Sequence, residues 1–395
     1  MVELLAPAAD MEALEAALFY GADAVYAGGP CLQLRAQRVG FDLAALEQAI
    51  QRVHEAGKKL YVAVNAFAGN DDVDRAGAYA KTLQGMGADA AIVSDLGVFC
   101  AMRDAAPQLE LHVSTQANCC NYRAAQAYYE MGAKRIVLAR EMTLEQIAQL
   151  RDRTPQLTLE AFVHGAMCMA YSGRCMISSF LTGRSGNDGS CAQPCRWNYA
   201  LMEEKRPGEY FPVCEDEAGT QILSSHDLCM IDHLEALRRA GVTSFKIEGR
   251  MKTAYYVATV VNAYRRRMRT PDDAAFCRQE LECIRHRPYQ TGFYFDALRH
   301  GHANDAVERC DCVFAAKVLR YADGMVWLQQ RNVFAVGDTL ETIARTGQTQ
   351  RIAVTALFDE AGEACARAPH PMQVLRMPCS VPLAAGELLR KRVEA

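Results

Sequence analysis

The chain predicts a (β/α)8 barrel with a long cysteine-rich insertion after strand seven, followed by a small β-rich C-terminal domain. Two observations carry this reading. First, a phrase recurs: "YGADAVYAGG" from Tyr20, "MGADAAIVSD" from Met86, "MGAKRIVLAR" from Met131 and "AGVTSFKIEG" from Ala240. In each, a glycine closes a helical segment and a short apolar run follows. A glycine in the left-handed C′ position hands the chain from a helix to a buried strand in this way. Second, the apolar runs are continuous rather than alternating, as parallel strands covered on both faces require.

In chain order the strands are "ELLAPA" from Glu3, the run after Gly21, "KLYVAVNAF" from Lys59, the run after Gly87, "LELHVSTQ" from Leu109, the run after Gly132, "LTLEAFVHG" from Leu157 and the run after Gly241. Helical segments such as "DLAALEQAIQRVHEAG", "TLEQIAQLRDR" and "LEALRRA" separate them. Eight alternating units predict a barrel, with a doubly wound open sheet as the alternative. No Gly-x-Gly-x-x-Gly follows the first strand, which argues against a dinucleotide site. The connection from His164 to about Gly241 is far longer than a βα unit needs, so it is an insertion on the C-terminal face, where barrel active sites are built. The barrel domain is expected over 1–287, with its insertion over about 164–240. Beyond it, "CDCVFAAKVLRYADGMVWLQQRNVFAVGDTLETI" alternates and carries turns at "ADG" and "VGD", predicting a small β-barrel or sandwich over 288–395. The helical "YYVATVVNAYRRRMRTPDDAAFCRQELECIRH" is expected to bridge the two.

The composition narrows the class. The chain has 395 residues, half of them hydrophobic, with a net charge of −4. That argues against a wholly basic nucleic-acid binder while leaving room for a local patch. No apolar run approaches the roughly 20 residues that span a bilayer, and the opening lacks the form of a secretory signal, so a cytoplasmic protein with no membrane partner is expected. Sixteen cysteines in a reducing compartment point to metal binding or chemistry where they cluster, and to small core residues where they scatter, as at Cys100 and Cys283.

Polar residues end nearly every strand: Asn65, Ser94 and Asp95, Ser114 to Gln116, Arg140 and Glu141, Glu160 and His164, Glu248 and Arg250. Loop polarity and helix capping account for part of this set. Glu160 is harder to explain that way, because it interrupts a strand that should be apolar. A buried carboxylate needs a partner, for which Arg140 and Arg250 are candidates. His164 is a candidate base, a candidate ligand or a core histidine. Glu160 and His164 are candidates for proton transfer, and Arg140, Arg250, Gln116 and Glu248 for substrate binding. The two arginines match carboxylates bidentately.

Cys168, Cys175, Cys191 and Cys195 lie within 28 residues, spaced C-x6-C-x15-C-x3-C. Four thiolates in one loop suit Zn2+ or an iron–sulfur cluster. The uneven spacing, with glycine and serine amides able to donate to sulfur, leans toward the cluster. A cysteine nucleophile pairing Cys168 with His164 would leave three cysteines unexplained. No His-Glu-x-x-His or Gly-x-Ser-x-Gly motif is present. In "YRRRMRT", Arg265, Arg266, Arg267 and Arg269 are either phosphate contacts or a solvated helix face.

The stretches "EAFVHGAMCMAYSGRCMISSFLTGRSGNDGSCAQPCRW", "SSHDLCMIDHLEALRRAGVTSFKIEGRMKTAYYVA" and "ELLAPAADMEALEAALFYGADAVYAGG" resemble the collagenase-like peptidase U32 family, over most of residues 1–270. The β-rich tail is similar to that family's short C-terminal domain. Members were named as peptidases. The resemblance also implies O2-independent hydroxylation, since members act on tRNA wobble uridine, on ribosomal RNA cytidine or on a ubiquinone precursor. It implies a [4Fe-4S] cluster on Cys168, Cys175, Cys191 and Cys195. In the quinone-directed branch the fourth ligand comes from further along, near Cys214, and Cys229 is a spare. For the RNA-directed members it implies prephenate as co-substrate. An intact C-x3-C and a trailing β domain match the tRNA branch best. The expected function is therefore prephenate-dependent tRNA hydroxylation, with tRNA, prephenate and a related subunit as expected partners. The alternatives are a U32-type peptidase, hydroxylation of another RNA or of a quinone precursor, and a scaffold whose cluster is structural.

Overall fold

The structure is a computed structural model that describes residues 2–33, 40–168, 175–184, 191–194, 201–202, 210–211, 214–216, 219–221, 226–295 and 310–393, with the backbone alone over 201–221. Eight parallel strands form a closed barrel. They are β1 (Glu3–Ala8), β2 (Ala24–Gly28), β3 (Lys59–Val64), β4 (Ala90–Val93), β5 (Glu110–Val113), β6 (Arg135–Val137), β7 (Thr158–Ala166) and β8 (Ser244–Ile247). They pair in chain order, and β8 closes the ring by pairing with both β7 and β1. All eight predicted strands are present, and the open-sheet alternative is excluded by that closure.

Helices α1 (Met11–Tyr20), α2 (Leu43–Glu55), α3 (Asn70–Met86), α4 (Leu96–Ala105), α5 (Tyr122–Glu130) and α6 (Leu144–Arg153) alternate with the strands. Their starts are encoded locally. Asp42, Asp95 and Asn121 cap α2, α4 and α5 through side chains that accept backbone N–H groups. Thr143 and Gln146 form a reciprocal capping box on α6. The repeated glycines do what the sequence predicts: Gly21, Gly87, Gly132 and Gly241 have φ of 105°, 83°, 106° and 95°. At Gly241 close packing adds to the demand. A Cβ there would sit 2.5 Å from Cγ of Arg151, whose guanidinium donates to the carbonyls of Gly241 (3.1 Å), Thr154 (3.3 Å) and Leu157 (2.7 Å).

β7 is the longest barrel strand because it continues past the barrel. Its C-terminal half pairs antiparallel with the strand Asp227–Cys229, which pairs in turn with Tyr289–Gln290. Arg287 pins this ledge, donating to Oδ1 of Asp227 from Nη2 at 2.7 Å and from Nε at 3.0 Å. Between β7 and β8 the described residues hold α7 (Ile177–Thr182), two short antiparallel strand pairs, and α8 (Leu234–Arg239).

The chain divides into two compact units. One comprises Met1–Met11, Asp23–Met251 and Arg287–Glu308, and the other Glu12–Ala22, Lys252–His286 and Arg309–Ala395. The second unit joins most of α1, α9 (Ala254–Arg269) and α10 (Ala274–Glu282) to an eight-stranded antiparallel sheet. Its central strands are β9 (Cys312–Ala322), β10 (Met325–Gln330), β11 (Val374–Pro378) and β12 (Leu388–Arg392). Ala315, Val318, Leu328, Phe334, Leu375 and Leu389 form its apolar core. Arg390 is fully buried there and donates to both oxygens of Glu280 at 2.9 and 2.7 Å. Among the described residues no helix is long and apolar enough to cross a membrane.

Candidate functional site

Inside the barrel, toward the N-terminal ends of the strands, lies a buried ion network. Glu160 on β7 has no exposed surface and accepts from Nη1 of Arg135 at 2.7 Å, Nζ of Lys246 at 2.7 Å and Oγ of Ser244 at 3.0 Å. Glu3, the first residue of β1, accepts from Tyr61 at 2.7 Å and lies 2.8 Å from the same Ser244 hydroxyl, whose one proton it shares with Glu160. Arg135 binds Glu3 as well. Lys246 also lies over the Tyr26 ring, 4.3 Å from its centre. Burial alone would raise the Glu160 carboxyl, but Lys246 and Arg135 outweigh it and hold the group at about 2.

Glu160 therefore differs from its sequence reading in two respects. Its partners are Arg135 and Lys246, not Arg140 or Arg250, and it sits below the mouth as an anion charged at neutral pH. That environment suits a structural anchor rather than a proton carrier. Lys246 and Arg135 were missed. Lys246 interrupts an apolar run, the same signal that singled out Glu160, whereas Arg135 opens its strand next to Lys134 and nothing local marks it.

The C-terminal mouth carries the remaining candidates. Arg140, following β6, donates to the Ala166 carbonyl at 2.8 Å and to Oε2 of Glu248 at 2.9 Å, and its guanidinium lies 4.0 Å from the centre of the Phe162 ring. Arg140 and Glu248, named separately in the sequence, are thus one ion pair spanning the ends of β6 and β8. Arg250 is 7% exposed and donates to Oε1 of Gln33 at 3.0 Å, while Gln33 donates to the Gly29 carbonyl at 2.7 Å. Gln33 on the loop after β2 was not foreseen. Nothing in its local pattern marks it, because its role depends on a residue 217 positions away.

His164 is buried, and its ring centre is 5.4 Å from that of Tyr289 on the ledge. The register against β8 slips between Phe162 and His164, so β7 carries a bulge at Val163, a device that re-aims side chains beside active sites. Gln116 is buried in a short 3-10 turn whose first residue, Thr115, donates to the Leu138 carbonyl at 3.0 Å. Asp95 and Ser114 prove to be caps, accepting the amides of Val98 and Gln116.

Of the cysteines, Cys168 is exposed, and Cys175 and Cys191 are partly buried. Cys195 and the side chain of Cys214 lie outside the described residues. The Gln193 amide donates to Sγ of Cys191 at 3.3 Å, with Gln193 in the left-handed region at φ 59°. Ser178 on α7 accepts the neighbouring Ala192 amide at 2.9 Å. An amide aimed at sulfur is the donor chemistry that stabilises a ligating thiolate. Among the described residues, no three His, Cys, Asp or Glu side chains come together to hold a metal ion. Arg265 and Arg266 are buried, so the helix face they occupy is not a solvated one, whereas Arg269 is exposed.

Family comparison converges on the same chain segments. The model of peptidase family U32 matches residues 9–304, and that of the peptidase family U32 C-terminal domain matches 311–390. The chain belongs to peptidase family U32. Within the family it is 35% identical over 396 residues to tRNA hydroxylation protein P of Escherichia coli, covering 87% of this chain and 86% of the relative. It is 34% identical over 404 residues to tRNA hydroxylation protein P1 of Bacillus subtilis, covering 98% and 94%. A 23S rRNA 5-hydroxycytidine synthase of Escherichia coli is 38% identical over 265 residues, covering 67% of this chain and 39% of that one.

Proposed function

We propose that this U32 protein is an RNA-modifying hydroxylase of the cytoplasm that acts on the wobble uridine of tRNA, with prephenate as the oxygen-donating co-substrate. The observation that carries the reading is the likeness to tRNA hydroxylation proteins along nearly the whole chain, barrel and C-terminal domain together. The mouth is chemically suited to a dicarboxylate. Arg140 and Arg250 follow β6 and β8 at one barrel opening, and each guanidinium offers a planar fork of donors. In this reading Glu248 holds Arg140 in place until a substrate carboxylate takes over its bond. Phe162 supports the guanidinium face, and Gln33 orients Arg250. His164, beside the bulge, is the proposed proton carrier. The buried pairing of Glu160 with Arg135 and Lys246 fixes β1, β6, β7 and β8 beneath them.

The family resemblance implies a [4Fe-4S] cluster. What supports it is the chemistry of the donors and not their placement: Cys168, Cys175 and Cys191 stand in the segment after β7 and Cys191 accepts an amide, although the three are not gathered around one point among the described residues. Cys168, Cys175, Cys191 and Cys195 would hold the cluster, with Cys214 as the alternative fourth ligand. A cluster held by these residues would supply electron transfer.

Protein purified without oxygen is expected to be brown and to carry roughly four irons per chain, as a cysteine-bound cubane requires. Cys168→Ser, Cys175→Ser, Cys191→Ser and Cys195→Ser should each lose most of that iron, while Cys100→Ser retains it. A colourless protein with one tight zinc would overturn the cluster. Full iron in Cys195→Ser together with loss in Cys214→Ser would reassign the fourth ligand.

A further inference from the structure

The second compact unit holds a cleft of about 220 Å3 lined by Phe19, Tyr20, Arg265, Arg269, Arg345 and Thr346, among others. Its volume is several times the roughly 30 Å3 share of a liquid water, enough for a hydrated phosphate group. Three guanidinium groups line it and no carboxylate does. Glu387 is close enough to interact with Arg345; it is itself partly buried, accepts the Ala384 amide at 3.1 Å and has its proton affinity raised by burial.

The walls are tied together by side chains of α9. Asn262 donates to the Ala344 carbonyl at 3.0 Å and Arg266 to the Gly347 carbonyl at 2.7 Å, which fixes the loop carrying Arg345. Arg265 donates to the Gly21 carbonyl at 2.7 Å, which fixes the end of α1. Arg345 lies over the Phe19 ring, 4.2 Å from its centre. Arg269 ends α9 and is exposed, and among the described residues neither it nor Arg345 makes an ion pair. Two helices present their C-terminal ends here, each with a partial charge of roughly −0.5. The two full positive charges of Arg269 and Arg345 exceed that sum, so the cleft is net attractive to an anion.

We infer that this cleft binds backbone phosphates of the RNA substrate, one at Arg269 and one at Arg345, at a site separate from the barrel mouth. The inference rests on the RNA reading above and adds a second point of attachment to it. Phosphate contacts of this kind position an RNA without reading its bases and make affinity fall with salt.

The test is binding of unmodified tRNA to the full-length protein over a salt series. Arg269→Gln/Arg345→Gln should bind about tenfold more weakly near 0.1 M salt, and its log–log salt slope should be shallower by about 2. Arg269→Gln alone, whose side chain supports no other part of the fold, should flatten the slope by about 1. A slope unchanged in both variants while wild type binds tRNA would overturn the cleft and leave the RNA reading standing. Calorimetry with inorganic phosphate forms the second arm. If the double variant loses phosphate binding but keeps wild-type tRNA affinity, the cleft serves a small phosphate ligand and the RNA assignment falls. Wild-type protein that binds no tRNA at any salt would overturn both readings at once.

Discussion

At the scale of single residues, the charges inside the barrel behave as one unit. Glu160 is fully buried with two cations on it, so removing its charge leaves Lys246 without its carboxylate partner and Arg135 with Glu3 alone. Breaking such a buried pair costs about 3–5 kcal/mol. Glu160→Gln should lose that much in urea unfolding near neutral pH. The same pair makes stability depend on acid. The Glu160 carboxyl titrates at its ordinary 4.5 when unfolded and at about 2 in the fold, so protons bind the unfolded chain more tightly. The stabilisation is full above 4.5 and is lost as pH falls toward 2. The stability gap between wild type and Glu160→Gln should therefore shrink by roughly 3 kcal/mol over that range. A constant gap would show that the carboxylate is not paired as described.

Arg250 is the residue on which substrate binding turns in the proposed reaction. Arg250→Lys keeps the charge but loses the fork that reaches Gln33 and a carboxylate together. Activity should fall roughly ten- to a hundredfold, the loss of one charge-assisted hydrogen bond of about 1.5–3 kcal/mol, with bound iron unchanged. The placement of Arg140, Glu248, Arg250 and His164 was legible, because polar residues stand out where apolar strands end. What was hidden depends on distance along the chain. Arg265 and Arg266 read as phosphate contacts or a solvated helix face, yet they are buried, with carbonyls at Gly21 and Gly347 receiving them.

At the scale of elements, the helix-to-strand junctions carry most of the information. The glycine phrase located four strands because a positive φ and an apolar run are both local properties. Gly241→Ala tests the point: the new Cβ meets the Arg151 stem at 2.5 Å in a conformation strained for any L residue. The expected cost is about 1–3 kcal/mol, read as a lower thermal midpoint. Gly57→Ala is a control for the backbone part, because open space surrounds it at φ 66°. Equal losses in the two would mean that Arg151 yields freely. The ledge on β7 was not legible, since the pairing of Asp227–Cys229 and Tyr289–Gln290 joins segments about 60 residues apart. The C-terminal sheet was legible as β-rich but not in its strand order, because neighbours such as Cys312–Ala322 and Leu388–Arg392 pair across most of the domain.

At the scale of the whole molecule, the closed barrel sets its arginine-bearing mouth beside the ion pair of Arg140 and Glu248. Neither barrel nor β domain selects a reaction, since barrels of this kind host many. The choice between RNA hydroxylation and peptide cleavage rests on the reaction itself. The decisive measurement is mass spectrometry of nucleosides from digested tRNA in cells lacking this chain, restored with wild type or with Arg250→Ala. The account predicts loss of a hydroxyl-derived mark on wobble uridine, its return with wild type, and no return with Arg250→Ala although that variant keeps its iron. Unchanged tRNA, together with Cys168-dependent cleavage of a gelatin substrate by the anaerobically purified protein, would contradict it.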